Sequence, residues 1–383
     1  MDAVSDPERP LPGAPERLAT RVAFFISGFG TAAWAPLVPF AKERLGTDDG
    51  TLGLLLVCLG AGSSIAMPLS GGLAARFGCR RVIWAGCLGI SVSLPLLGFA
   101  PTGASLALAL LLFGAGIGAA DVAMNIQAVI VEKTGGRIMM SGFHGLYSVG
   151  GIAGAGGVSG LLWVGASPMA AGLGIGVAIL GLMLAFGRHL LPYGREGDAP
   201  AFALPHGVVL FIGCLCFITF LTEGSMLDWS ALFLTSLRGV GPAHSGLGYA
   251  AFALVMTLGR LTGDRVVHLF GGRTILIFGS LCAASGLVLA VSVPSWIAAV
   301  VGFSMVGLGA SNIVPVLYST AGRQKVMAPN LAIDAITTFG YLGILAGPAL
   351  IGFIARAASL STAFVCVAGL LIVVAGGARV ATR

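Results

Sequence analysis

The sequence predicts an all-α membrane protein with twelve transmembrane helices in two six-helix, pseudo-symmetric halves. Three observations carry that prediction. Charge is scarce: 57% of the 383 residues are apolar and only 9% charged, with mean hydropathy +0.98, where a soluble domain carries roughly 25% charged residues. Apolar runs of about 20 residues, enough to cross hydrocarbon about 30 Å thick, recur along the whole chain. The second half also repeats features of the first at an offset of 191 to 193 residues.

Residues 1–19 hold several prolines with Asp2, Asp6, Glu8, Arg9, Glu16 and Arg17 and lack the apolar core of a secretory signal, so they are expected to form a disordered cytoplasmic tail. The first half, 20–191, carries runs at 20–42, 52–75, 81–100, 105–131, 141–164 and 168–190. They are separated by charge or Gly/Pro punctuation at Thr47 to Gly50, Arg76 to Arg81, Pro101 to Gly103 and Glu132 to Arg137. A cytoplasmic linker, 192–206, follows, bounded by Pro192 and Pro205. The second half, 207–383, carries runs at 207–236, 246–268, 273–293, 296–319, 331–356 and 361–380. The 60 glycines, against a usual share of roughly 7%, suit membrane helices that pack through small residues.

With the N-terminus inside, 17 of the 21 Lys and Arg fall on the cytoplasmic side, and only Lys42, Arg44, Arg238 and Arg356 fall outside. The positive-inside rule therefore places both termini in the cytoplasm of a multi-pass inner-membrane protein, and the net charge of +6 reads as topology, not as affinity for nucleic acid. The seven cysteines lie in or at the edge of apolar runs and behave as small hydrophobes. Cys214 and Cys216 point to different faces of one helix, and no His or acid stands at ligand spacing, so neither a disulfide framework, a metal nor a cofactor is implied.

The repeat is read from three collinear matches. Arg76 to Gly86 aligns Phe77, Gly78, Arg80 and Gly86 with Phe270, Gly271, Arg273 and Gly279. Gly116 to Asp121 aligns with Gly307 to Asn312, and Gly150, Ala153 and Gly154 align with Gly343, Ala346 and Gly347. Two parallel halves facing a central site are a transporter architecture. The segment Gly71 to Arg81, GGLAARFGCRR, resembles the loop between helices two and three of the major facilitator superfamily, with Ala75 where the family has an aspartate and His268 at its counterpart. Asp121 to Asn125 resembles the Glu-x-Ala-x-Asn stretch of the fucose-type sugar permease branch. Phe143 to Gly151, Glu223 to Trp229 and Gly340 to Pro348 look like bacterial permeases of that branch, although the acid usual in helix one is Ala35 here. The resemblance implies the major facilitator fold and, at Asp121, a group that handles the coupled proton.

Five acids lie within the expected helices: Asp121, Glu223, Asp228, Asp264 and Asp334. Asp121 and Glu223 each sit near the bilayer midplane, where an ionised side chain costs at least roughly 2.5–3.5 kcal/mol and is functional or partnered by default. For Asp121 the alternatives are a proton-carrying group and a structural hydrogen-bond donor, and its depth with Asn125 one turn on favours the first. For Glu223 the proton-carrying reading is balanced by capping of backbone groups in a glycine-weakened helix. Trp34, Asn125, Gln127, Tyr147, Asn312, Thr337, Thr338 and Tyr341, at similar depth, form a candidate substrate-binding set. Asp228, beside Trp229, reads as interfacial or gating. His144 reads as a packing histidine before a proton relay.

Gating is expected of Arg76 and Arg80 in the loop motif and of Arg260, Asp264 and Asp334. Arg260 and Asp264 are one turn apart and could simply pair with each other. Arg76 is expected to reach Asp334 across the two halves, against the rival that Asp334 complements its own helix dipole. The sequence thus points to a monomeric secondary active transporter for a small polar solute, sugar-like or a related metabolite, with H+ as the coupling ion and the lipid bilayer as its surroundings. An efflux antiporter for amphiphilic drugs or metabolites is the alternative; its helix-five marker is present without the proline (Gly150, Gly154, Ala155). An enzyme is not expected, because no Ser-His-Asp or HExxH arrangement is visible.

Overall fold

The computed structural model describes residues 12–47, 49–194, 204–240 and 247–382. Residues 1–11 of the expected tail, 195–203 of the expected linker and Arg383 lie outside the described residues, as does the side chain of Pro348. The described residues are helical throughout, with no strand among them. The helices are α1 (Ala14–Ala33), α2 (Val38–Leu45), α3 (Asp49–Phe77), α4 (Cys79–Phe99), α5 (Gly103–Gly135), α6 (Met140–Trp163), α7 (Pro168–Phe186), α8 (Gly207–Arg238), α9 (Leu247–Phe270), α10 (Gly272–Ser292), α11 (Trp296–Ala310), α12 (Ile313–Arg323), α13 (Pro329–Ala357) and α14 (Leu360–Ala381).

All twelve expected spans are helical, and two of them are broken. The first bends at Ala35–Leu37, a 3-10 turn containing Pro36 that separates α1 from α2, because proline has no N–H to continue the ladder. The tenth breaks between α11 and α12 at Ser311 and Asn312. The expected tail is corrected from Ala14 onward: Glu16 accepts the Gly13 N–H (2.7 Å), and with Pro15 in the first turn the helix starts six residues earlier than the apolar run. Ten helices are long and apolar enough to cross a bilayer by composition alone. The other two spans, α1 and α9, hold Glu16, Arg17 and Arg21, and Arg260, Asp264 and Arg265.

Packing repeats as the sequence does. In the first half α1 packs on α6, α3 on α5, and α4 on both α5 and α7; in the second α8 packs on α13, α9 on α11, and α10 on both α11 and α14. The seams between halves are also a matched pair, α6 against α9 and α3 against α13. Within α1–α6 the backbones nearly touch. A Cβ on Gly150 or Gly154 would run into the carbonyls of Phe25 or Phe29, so these two glycines serve close helix approach. Because the span count is even, α1 begins and α14 ends on one face, called the terminal face below.

Candidate functional site

The candidate site lies around the middles of the long helices α5 and α8, one from each half. Asp121 stands near the middle of the 33-residue α5 and Glu223 midway along the 32-residue α8, and their surroundings differ. Glu223 accepts two hydrogen bonds from Arg260 Nη2 of α9, at 3.0 and 3.2 Å. The same guanidinium donates through Nη1 to Ser148 Oγ of α6 (3.2 Å) and through Nε to the Ser311 carbonyl at the α11–α12 break (3.3 Å). The Arg260 and Glu223 side chains are 8% and 17% exposed. One buried cation thus ties α8, α9 and the broken tenth span of the second half to α6 of the first.

The Arg260–Asp264 pair that the spacing allows does not form. Residues four apart on α9 could meet, but Glu223 on α8 faces Arg260 directly, and Asp264 instead accepts the Gly142 N–H at the start of α6 (3.1 Å). No hydrogen bond or ion pair reaches the Asp121 carboxylate among the described residues. It is partly exposed and lies within electrostatic reach of the phenols of Tyr147, Tyr318 and Tyr341. Its backbone carbonyl accepts from Asn125 Nδ2 (2.8 Å).

The candidate binding set divides. Tyr147, Tyr341 and Thr338 keep part of their surface open, while Trp34 is 6% exposed at the end of α1. Asn312 donates to the Gly259 carbonyl (3.1 Å) and Ser311 Oγ (3.0 Å), and Thr337 accepts from Tyr318 Oη (2.8 Å). Gln127 is fully buried in a structural tie: it donates to Thr20 Oγ1 and accepts the Leu191 N–H, both at 2.9 Å. His144 is wedged between the rings of Phe24 and Tyr318, at centroid distances of 5.2 and 5.6 Å, across the two halves. Asp228 is exposed. Ser148, Ser311 and Tyr318 join the network without being singled out by the sequence; a lone Ser or Tyr in a long apolar helix gives no signal until its neighbour is known.

Toward the terminal face the halves close on each other. Gly142 meets Asp264, and Gly71 of α3 meets Asp334 of α13, whose carboxylate would lie 2.8 Å from a Cβ on Gly71. The offset of 193 residues maps Gly71 onto Asp264 and Ser141 onto Asp334. The two seams are thus equivalent helix pairs, and in both the acid comes from the second half and the glycine from the first, Gly142 lying one residue beyond the repeat mate of Asp334. Arg76 does not reach Asp334: its guanidinium lies over the Phe77 ring, 5.2 Å from the centroid, and Asp334 Oδ1 has no partner. Arg80 Nε donates to the Leu190 carbonyl (2.8 Å) within its own half. Glu132 of α5 accepts the N–H groups of Met139 and Met140, both at 2.8 Å, and reaches Arg323 of α12 at 3.7 Å, a second ionic link across the halves.

Comparison with known proteins agrees with this arrangement. The family model of the Major Facilitator Superfamily matches residues 22–325. An uncharacterised MFS-type transporter of Yersinia pestis is 58% identical over 97% of both chains, and membrane protein MosC of Rhizobium meliloti is 33% identical over 92% of this chain and 86% of its own. Among solved structures, FucP in the outward conformation superposes with a TM-score of 0.80 at 14% identity, covering 96% of this chain and 98% of that one. The proton:xylose symporter XylE gives 0.76 at 13% identity, covering 96% and 95%. With twelve spans in two equivalent halves, a matched pair of seams and relatives of this kind, the chain belongs to the major facilitator superfamily of membrane transporters.

Proposed function

We propose that this chain moves a small polar solute, sugar-like or a related metabolite, across the bacterial inner membrane by alternating access, with a proton as the coupling ion. The observation that carries the reading is the contrast between the two midplane acids. Glu223 has a buried counter-ion, whereas Asp121 has none among the described residues and lies within electrostatic reach of three phenols. A carboxylate without a partner at that depth is neutral only with a proton, so loading and releasing that proton changes the charge the site exposes to each side. FucP, described as a fucose:proton symporter of E. coli, and XylE share the fold, which supports the transport class. The distribution of 17 of the 21 cations supports a cytoplasmic terminal face.

The test uses protein reconstituted in liposomes. Asp121→Asn keeps the shape and removes the titration, so counterflow exchange survives while uphill, pH-driven accumulation is lost. Lost exchange with residual pH-driven transport would place Asp121 in substrate binding and move the proton to Glu223. Uptake driven by sodium instead of pH in the wild type would refute the proton assignment.

A further inference from the structure

The equivalent starts of α4 and α10 are treated differently by the fold. Each follows a glycine with positive φ, Gly78 (85°) and Gly271 (77°), and Arg273 stands where the repeat places Arg80. In the first half the residues after α7 lie across the helix start. Cys79 N–H donates to the Tyr193 carbonyl (3.3 Å), Arg80 N–H to that of Leu191 (2.8 Å) and Arg80 Nε to that of Leu190 (2.8 Å). In the second half no described segment crosses that position, and a Cβ on Gly271 would meet nothing within 4 Å.

A cavity of about 1100 Å³ opens there instead, on the terminal face, between the start of α10 and the ends of α9, α12 and α14. Its wall carries His268, Arg273, Arg323, Lys325 and Arg379 and, among the described residues, no aspartate or glutamate. Arg323 is shared with Glu132, whereas Arg273, Lys325 and Arg379 make no hydrogen bond or ion pair among the described residues. The plain reading of these cations is a solvated positive-inside face. Against it stand the concave shape, the absence of any acid among the described wall residues and an apolar rim that includes Phe270, 61% exposed.

We propose that this cavity binds the phosphate head group of an anionic phospholipid from the leaflet at the terminal face. Guanidinium forks match phosphate oxygens, and the N–H groups at the start of α10 point where the first half supplies carbonyl acceptors. The rim accepts the first part of the acyl chains, and basic pockets among helix ends on the cytoplasmic side suit anionic head groups.

The test is thermal unfolding of the purified full-length protein in detergent with added dioleoylphosphatidylglycerol, dioleoylphosphatidylcholine or inorganic phosphate. Phosphatidylglycerol is expected to stabilise the wild type saturably and phosphatidylcholine not to. Arg273→Gln/Lys325→Gln/Arg379→Gln is expected to raise the half-saturating phosphatidylglycerol concentration by roughly 100-fold. If the triple variant does not fold, Arg273→Gln alone is expected to shift it by roughly fivefold. Equal effects of the two lipids, or equal phosphatidylglycerol responses of wild type and variants, would overturn the site. Stabilisation by inorganic phosphate that removes any further effect of phosphatidylglycerol would overturn the lipid as its source.

Discussion

Replacing Glu223 with glutamine keeps the volume beside Arg260 and removes only the charge. Breaking a buried ion pair from one side costs about 3–5 kcal/mol, because the surviving charge stays desolvated. Arg260 keeps Ser148 and the Ser311 carbonyl, so the lower end, about 3 kcal/mol, is the expected cost. At roughly 2.1 cal/mol/K per residue over 383 residues, the unfolding entropy is about 0.8 kcal/mol/K, and the loss corresponds to a fall in Tm of about 4 °C. Arg260→Gln leaves Glu223 without its cation and is expected to cost a similar amount. The double variant Glu223→Gln/Arg260→Gln removes both charges and should lie within about 2 °C of the wild type. The assay is thermal unfolding of the four proteins in one detergent at one pH. A double variant that falls by the sum of the single losses would show that the two side chains act independently and would refute the pair as a stabilising unit.

Gly71→Ala and Gly142→Ala place a methyl 2.8 and 2.5 Å from the carboxylate oxygens of Asp334 and Asp264. Each is expected to part the halves on the terminal face, read as several-fold faster labelling of a cysteine introduced near mid-membrane by a reagent added on that side. Gln127→Leu strands the buried Leu191 N–H and is expected to cost about 1–3 kcal/mol, seen as a lower Tm with transport retained. Reporter tags at residue 10 and after Arg383 are both expected to read cytoplasmic, and a periplasmic signal from either end would contradict the topology.

The spans were legible because lipid leaves so little choice of side chain: each apolar run became a helix within a few residues. The break at Pro36 was open to reading only in part, since proline allows one there but Pro68 and Pro95 lie inside the unbroken α3 and α4. The break at Ser311 and Asn312 was not, because it rests on Asn312 reaching the Gly259 carbonyl of another helix. The same limit explains the site. Depth placed Asp121, Asn125 and Gln127 together, yet residues two apart on a helix point about 200° apart, and Gln127 turned toward α1 and the chain after α7. Spacing along α9 joined Arg260 to Asp264, but spacing on one helix says nothing of the acid facing it from α8. The pairing of second-half acids with first-half glycines at the two seams became readable only when α3 was seen against α13 and α6 against α9.

The interruption at Ser311 and Asn312 makes α12 a short rod hinged at its midplane end. It carries Tyr318, which touches His144, and ends in Arg323, which reaches Glu132. Its 11 residues span about 16 Å at 1.5 Å per residue, so a tilt of about 10° swings the far end by about 3 Å. That travel exceeds the slack in a 3.7 Å contact. Closure of the terminal face is therefore sensitive to leverage from a single half-helix, with the fulcrum at the carbonyl that Arg260 holds. Spin labels within the second half, at Phe278 of α10 and Thr320 of α12, would report the stroke while leaving Glu132 and Arg323 in place, and a separation unchanged between loaded and unloaded protein would show that α12 moves only with its half.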